Sequence, residues 1–123
     1  MAKVLTATKK HRVLAKTNGR CAYCGDALNG NNFTVDHIVP KHHGGDNGLN
    51  NLFACCRECN TAKGTKTIEQ WHRFAAVKQV TGKAIFGQAQ VDYLFKHGLF
   101  PALGVNENYQ FYFQQIGGLN ATV

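Results

Sequence analysis

Two short cysteine motifs constrain this chain more than any other feature of its sequence. Cys21 and Cys24 are separated by two residues, and Cys56 and Cys59 repeat that spacing. Two intervening residues allow one tight turn to point both sulfurs at a single ion, and two such turns complete a tetrahedral site. The sequence therefore predicts a four-cysteine zinc centre, with residues 25–55 inserted between its two halves.

The predicted zinc ion is expected to have a structural role and not a catalytic one. Four thiolates leave no open coordination position, so a zinc ion held by them is not available to a substrate. Buried free thiols or disulfides are the alternative. We expect an intracellular, reducing setting, because residues 1–12 contain no apolar signal segment, and this favours metal ligands. Cys55 does not share the motif spacing and is expected to be a small buried strand residue.

The charge of the chain favours a polyanionic partner. The 123 residues carry a formal net charge of +7. Residues 1–66 hold ten basic and four acidic residues, a net +6, whereas residues 67–123 hold four and three, a net +1. Nucleic acid is the simplest partner for such a basic half, and a merely soluble basic surface is the alternative.

A short apolar strand with a polar end lies inside the inserted element. Residues 33–39 read Phe-Thr-Val-Asp-His-Ile-Val, which predicts a strand interrupted by Asp36 and His37. A loop with Gly44 and Gly45 follows, then a second strand over 52–55 and a helix from Cys56 to Lys63. Neighbouring strand side chains point to opposite faces, so the acid and imidazole share one site only where the strand bends or ends. In isolation, a hydrogen-bonded pair at a strand end is the simpler interpretation.

The order of these motifs resembles the HNH nuclease family. The matching residues are Cys21/Cys24, Asp36-His37-Ile38-Val39-Pro40, Gly44-Gly45, Asn51-Leu52, Cys56/Cys59, Asn60 and Lys63. The resemblance covers about residues 20–64. It implies an α+β fold: a ββα-metal core stapled by a four-cysteine zinc site, with flanking N-terminal and C-terminal helices.

The resemblance also implies roles for four polar residues. His37 would be the general base, Asp36 a ligand of the catalytic metal, and Asn51 the residue that orients the site. The last family histidine is replaced by Asn60, which gives an H-N-N variant. Carboxylate and amide oxygens suit Mg²⁺ or Mn²⁺, so we expect one of these at the catalytic position.

Several basic residues are candidate DNA contacts. Lys63 fits a phosphate contact, and a solvated helix lysine is an equally good interpretation. A basic N-terminal helix beginning at Thr6 could follow a DNA backbone through its cationic side chains. These candidates are Lys9, Lys10, Arg12, Lys16 and Arg20.

The C-terminal half is expected to be helical. Thr67 and Gln70 fit a capping box, Gly82 closes that helix, and Ile68, Trp71, Phe74 and Ala75 form its apolar face. A further helix over 88–99 would turn Val91, Leu94 and Phe95 inward and end before Pro101. The aromatic tail around residues 108–116 predicts a strand or a contact surface.

These expectations give one domain with three parts: a basic helix over 1–19, the zinc-stapled core over 20–66, and a helical extension over 67–123 packed on the core. The predicted function is metal-dependent DNA endonuclease activity. A non-catalytic zinc module that binds nucleic acid, or a nuclease component of a phage packaging assembly, are the alternatives. The expected location is the cytoplasm of a bacterial host, for a chain of bacterial or phage origin, with no membrane partner.

Overall fold

The structure is a computed structural model that describes residues 7–30 and 32–117. Thr6, the expected start of the first helix, lies outside these ranges. The described residues form two compact units, one of residues 7–65 with 111–117 and one of residues 66–110. Within these ranges, no helix combines the length and apolar character needed to cross a bilayer.

The first unit contains the ββα arrangement that the sequence predicts. Its elements are α1 (Ala7–Lys16), β1 (Thr34–His37), 3₁₀ turns at Lys41–His43 and Leu49–Asn51, β2 (Leu52–Cys55) and α2 (Arg57–Lys63). Helix α1 ends as expected, because Asn18 and Gly19 both adopt left-handed backbone angles with φ of 57° and 75°. The α+β fold class is confirmed.

The two strands form an antiparallel pair with a helix against each face. Asp36 pairs with Phe53, and His37 pairs with Leu52. Leu52 packs with Val13 of α1 in a fully buried cluster, which places His37 on the α1 side of the sheet. Asp36 lies on the opposite side, which faces α2.

The aromatic tail forms a turn of helix, so the predicted strand is wrong. Helix α6 covers Tyr112–Gln115. Phe111 and Phe113 are buried, with ring centroids 5.0 Å and 6.4 Å from that of Tyr23. The Tyr112 and Phe113 amides donate to the Tyr23 and Ala22 carbonyls at 3.0 Å and 2.9 Å. The alternating aromatic residues therefore complete the first unit by packing around one tyrosine.

Helix α3 (Ile68–Thr81) of the second unit matches its sequence signals. Thr67 Oγ1 accepts from the Gln70 amide, and Gln70 Oε1 accepts from the Thr67 amide, both at 3.1 Å. Gly82 ends the helix with φ of 78°. Trp71 and Phe74 are buried, as the predicted apolar face requires.

The next helix is shorter than predicted. Helix α4 covers Gln88–Lys96, and the expected inward position of Phe95 is wrong because its side chain is 52% exposed. Gly98 takes a left-handed conformation, with φ of 68°, before Pro101. Pro101 lies in the first turn of a new helix, α5 (Phe100–Leu103), where its fixed φ is accommodated. The proline therefore begins a helix and does not terminate α4.

Candidate active site and metal centre

The two cysteine motifs converge on one point. The sulfurs of Cys21, Cys24, Cys56 and Cys59 all lie within 4.8 Å of one another. Cys24 Sγ and Cys56 Sγ are 3.8 Å apart. A tetrahedron with Zn–S bonds of about 2.3 Å has edges of about 3.8 Å, so the donor set fits zinc in type and in spacing. Cys56 also caps α2, where its sulfur accepts from the Cys59 amide at 3.4 Å.

The thiols of the cluster differ in their pKa. A hydrogen bond with Cys59 lowers the pKa of Cys21 to about 5, whereas burial raises the pKa of Cys24 to about 12. One thiolate therefore forms readily and the next ones are opposed by burial and by their neighbours' charge. Metal binding would release these protons and so depend on pH.

The fifth cysteine behaves differently. Cys55 is fully buried, and its sulfur lies 3.3 Å from Thr34 Oγ1. Burial raises the pKa of Cys55 to about 12. It is a small buried residue of β2, in agreement with the sequence-based expectation.

Asp36 is buried on the side of the sheet that faces α2. Its Oδ2 accepts from the Tyr23 hydroxyl at 2.5 Å. Lys63 Nζ lies 3.4 Å from Oδ1 and 3.2 Å from Oδ2. Burial raises the pKa of Asp36, and the adjacent Lys63 ammonium opposes that rise. The Lys63 ammonium is thus the cation that pairs with the buried Asp36 carboxylate.

Lys63 joins β1 to α2. Its side chain is fully buried, and Nζ also donates to the His37 carbonyl at 2.9 Å. The sequence offers Lys63 either as a DNA contact or as a solvated residue, and the structure places it in neither position. The reason is its position on α2, because the helix packs directly over the buried Asp36 carboxylate.

His37 is the last residue of β1, and its ring turns toward the loop. Its Nε2 lies 2.8 Å from Asn47 Oδ1. The Lys9 ammonium of α1 donates to the Asn47 carbonyl at 2.5 Å. Asp36 and His37 therefore follow the alternation of the strand, with the carboxylate directed toward α2 and the imidazole directed toward Asn47.

Asn51 holds the loop that follows β1. Its Oδ1 accepts from the Val39 amide at 2.8 Å, and its Nδ2 donates to the Val39 and Asp46 carbonyls at 3.0 Å and 2.9 Å. A Cβ on Gly45 would lie 1.7 Å from the Val39 carbonyl oxygen, so only glycine fits beside this clamp. The side chain of Asn51 thus braces loop backbone.

Asn60 lies on α2 three residues before Lys63, which places both on one side of the helix. Asp36 and Asn60 supply the carboxylate and amide oxygens that Mg²⁺ and Mn²⁺ prefer. The residues therefore fit a hard divalent cation in donor type.

Most of the candidate DNA contacts have partners within the chain. Lys16 Nζ donates to the Leu49 and Leu52 carbonyls, both at 2.5 Å, and Arg20 donates to the Gly25 carbonyl at 2.9 Å. Together with the Lys9 bond, these contacts tie α1 and its following turn to the β1–β2 loop and to the first cysteine turn. Lys10 lies over the Phe33 ring at 5.5 Å, and Arg12 is exposed.

Sequence reasoning missed two residues of this site. Tyr23 lies between the cysteines of the first motif and had no signal beyond its aromatic character. Asn47 lies in a glycine-rich loop where asparagine is common for turn formation alone. A polar residue ten positions from His37 has no periodic relation to it, so only the folded loop reveals the contact.

Part of this chain is similar to known endonucleases. An HNH endonuclease family model matches residues 21–73. The CRISPR-associated endonuclease Cas9 of Corynebacterium diphtheriae is 33% identical over 75 residues, which are 60% of this chain and 7% of that protein. The crystal structure of the Type II-C Cas9 enzyme from Actinomyces naeslundii matches with a TM-score of 0.52 and 22% identity, over 84% of this chain and 12% of that one. This chain therefore spans a small part of both relatives, and the structural match concerns the fold alone.

Proposed function

This chain carries a domain of the HNH endonuclease family, and from that premise we propose that it hydrolyses DNA phosphodiester bonds by a one-metal mechanism. One observation carries the proposal: Lys63 bonds both to the Asp36 carboxylate and to the His37 carbonyl. This contact fixes α2, which bears Asn60, against the end of β1. The proposed base and the proposed metal ligands thus come from two elements that are locked together.

His37 would act as the general base. A neutral imidazole can accept a proton from an attacking water at neutral pH. Asp36 and Asn60 would hold one Mg²⁺ or Mn²⁺ ion. When bound, this ion would relieve negative charge on a phosphate oxygen and on the leaving 3′ oxygen. Asn51 would act indirectly, by maintaining the loop that carries the site.

The four-cysteine cluster would hold one structural Zn²⁺. Its sulfurs lie on the turn before β1 and on the first turn of α2, so the ion would join the two ends of the ββα element. This role supports catalysis only through the fold. The other candidate phosphate contacts bond backbone carbonyls within the chain. Among the described contacts of Lys10 and Arg12 there is no such bond, so these two residues of α1 remain the candidates for binding phosphate.

The activity is tested by incubating zinc-loaded protein with supercoiled plasmid and a series of divalent cations. We expect nicking or cutting with Mg²⁺ or Mn²⁺. General acid–base groups typically contribute about 10²–10⁴-fold, so His37→Ala should slow cleavage by at least about 100-fold. His42→Ala is a matched control, because this exposed loop histidine has no proposed role.

Two outcomes would contradict the proposal. The first is full cleavage by His37→Ala. The second is an intact plasmid in every metal despite tight, salt-sensitive DNA binding, which would favour the non-catalytic zinc module.

A further inference from the structure

The imidazole of His37 has one fixed neighbour in the loop. Nε2 lies 2.8 Å from Asn47 Oδ1, and an amide oxygen accepts hydrogen bonds but cannot donate them. The nitrogen that faces Asn47 therefore carries the proton. A neutral imidazole has one N–H, so the lone pair is on Nδ1.

We propose that Asn47 is the positioning residue of the nuclease site, and that it fixes His37 as the Nε2-protonated tautomer so that Nδ1 accepts the proton of the attacking water. This inference rests on the proposed function. Asn47 acts through His37 and does not itself touch the reacting atoms. When Nδ1 takes a proton, Nε2–H stays bonded to the same amide oxygen, so the ring keeps its orientation in both states.

The loop backbone on both sides of Asn47 is held by separate contacts. Lys9 of α1 binds the Asn47 carbonyl at 2.5 Å. Asn51 binds the Asp46 carbonyl at 2.9 Å, and Asp46 Oδ1 accepts from the Gly48 amide at 2.9 Å. Three residues thus fix the backbone of positions 46–48. The Asn47 side chain extends from a braced segment, which is what an orienting group requires.

The bond between Lys9 and the Asn47 carbonyl connects helix α1 to the proposed active site. Lys9 was a candidate for DNA binding by its charge, yet its ammonium bonds the backbone of the residue that orients His37. The geometry links α1 to the site through a chain of Lys9, Asn47 and His37. Each member is on the α1 side of the sheet.

The test reads the tautomer directly in the nitrogen spectrum of the His37 ring. In ¹⁵N-labelled, zinc-loaded protein whose His37 ring is neutral, Nε2 should give the signal of a protonated nitrogen and Nδ1 that of a bare one. Asn47→Ala should move both signals toward an average of the two tautomers. Asn47→Asp retains an acceptor at the same place and should restore the wild-type pattern. Asn50→Ala, an exposed asparagine of the same loop, should change nothing.

Single-turnover cleavage at saturating DNA provides the second readout. The loss of one orienting hydrogen bond should slow Asn47→Ala by about tenfold, with Asn47→Asp within about threefold of wild type. A wild-type ring protonated on Nδ1 would overturn the inference. Unchanged spectra and rate in Asn47→Ala would also overturn it.

The two proposals fail in different ways. If wild-type protein does not cut DNA, the nuclease proposal falls, while the ring spectrum still decides whether Asn47 sets the tautomer. If cleavage depends on His37 but Asn47→Ala cuts as fast as wild type, only the positioning role of Asn47 is lost.

Discussion

A buried ammonium group links the two elements of the proposed active site. Lys63 is fully buried and lies between the Asp36 carboxylate and the His37 carbonyl. Charges without access to water are stable only when they are paired, so each partner depends on the other. The pair also leaves α2 one orientation against β1, since the ammonium must meet both acceptors.

Removing the ammonium should be costly. Lys63→Met keeps the length of the aliphatic side chain but removes the ammonium, which leaves Asp36 buried without its cation. We expect the free energy of unfolding to fall by about 3–5 kcal/mol. Adding Asp36→Asn should recover part of this loss, because the unpaired charge is then gone. Urea unfolding of the zinc-loaded single and double variants measures both changes. Lys96→Met, on an exposed position of α4, is the control, and an equal effect there would refute the buried pair.

The residues of the site differ in how far the sequence could predict them. The cysteine cluster follows from spacing alone, because two residues between thiols define a turn geometry. The burial of Lys63 does not, since a lysine at a helix end is normally solvated and only the packing of α2 over Asp36 excludes water. The contact of Asn47 with His37 is harder still to predict, because it depends on the path of the loop over residues 38–51.

Among the elements, the loop between β1 and β2 carries the most specific geometry. Asn51 bonds to the backbone of Val39 and Asp46, and it closes the loop just after β1 ends. The strands themselves are only four residues long, so the register depends strongly on this closure. The loop is therefore an ordered part of the fold.

A methyl group at Gly45 should disrupt this closure. The added carbon of Gly45→Ala would meet the Val39 carbonyl oxygen at 1.7 Å and the Asn51 side-chain nitrogen at 2.8 Å, so the clamp must open. We expect a lower melting temperature and DNA cleavage at least about tenfold slower, as typical overpacking costs about 1–3 kcal/mol. Gly30→Ala is the matched control, because its Cβ would meet nothing within 4 Å. Equal behaviour of the two variants would contradict a role for the close approach.

The sequence predicted an element correctly where the residues that define its ends are close together in the sequence. The capping box of Thr67 and Gln70 fixes the start of α3, and Gly82 fixes its end. The strand predicted for the tail was wrong, because the alternation of Phe111 and Phe113 is compatible both with a strand and with a helical turn that packs around Tyr23. The choice between these states depends on residues almost ninety positions earlier, which no local pattern contains.

At the scale of the molecule, the proposed zinc ion should determine whether the first unit folds. The four sulfurs join the turn before β1 to α2, and structural zinc sites often contribute most of the folding free energy of a small domain. A strong chelator should therefore reduce the far-ultraviolet circular dichroism signal. Trp71 is the single tryptophan and lies in the second unit, so its emission reports residues 66–110 separately.

Matched variants test the same point. Cys56→Ser with Cys59→Ser should behave like the chelated protein, whereas Cys55→Ala should still bind one zinc ion. An unchanged dichroism spectrum after complete metal removal would rule out a structural zinc ion.

The return of residues 111–117 to the first unit has a consequence for synthesis. Tyr23 emerges from the ribosome early, but the rings of Phe111 and Phe113 that enclose it come after the 45 residues of positions 66–110. At about 5–20 residues per second, this delay is roughly 2–9 s. The strands, the cysteines and His37 are all present during that interval, while Tyr23 still lacks the Phe111 and Phe113 rings. A nascent chain thus acquires the chemical groups of the proposed active site before it acquires the aromatic packing around Tyr23.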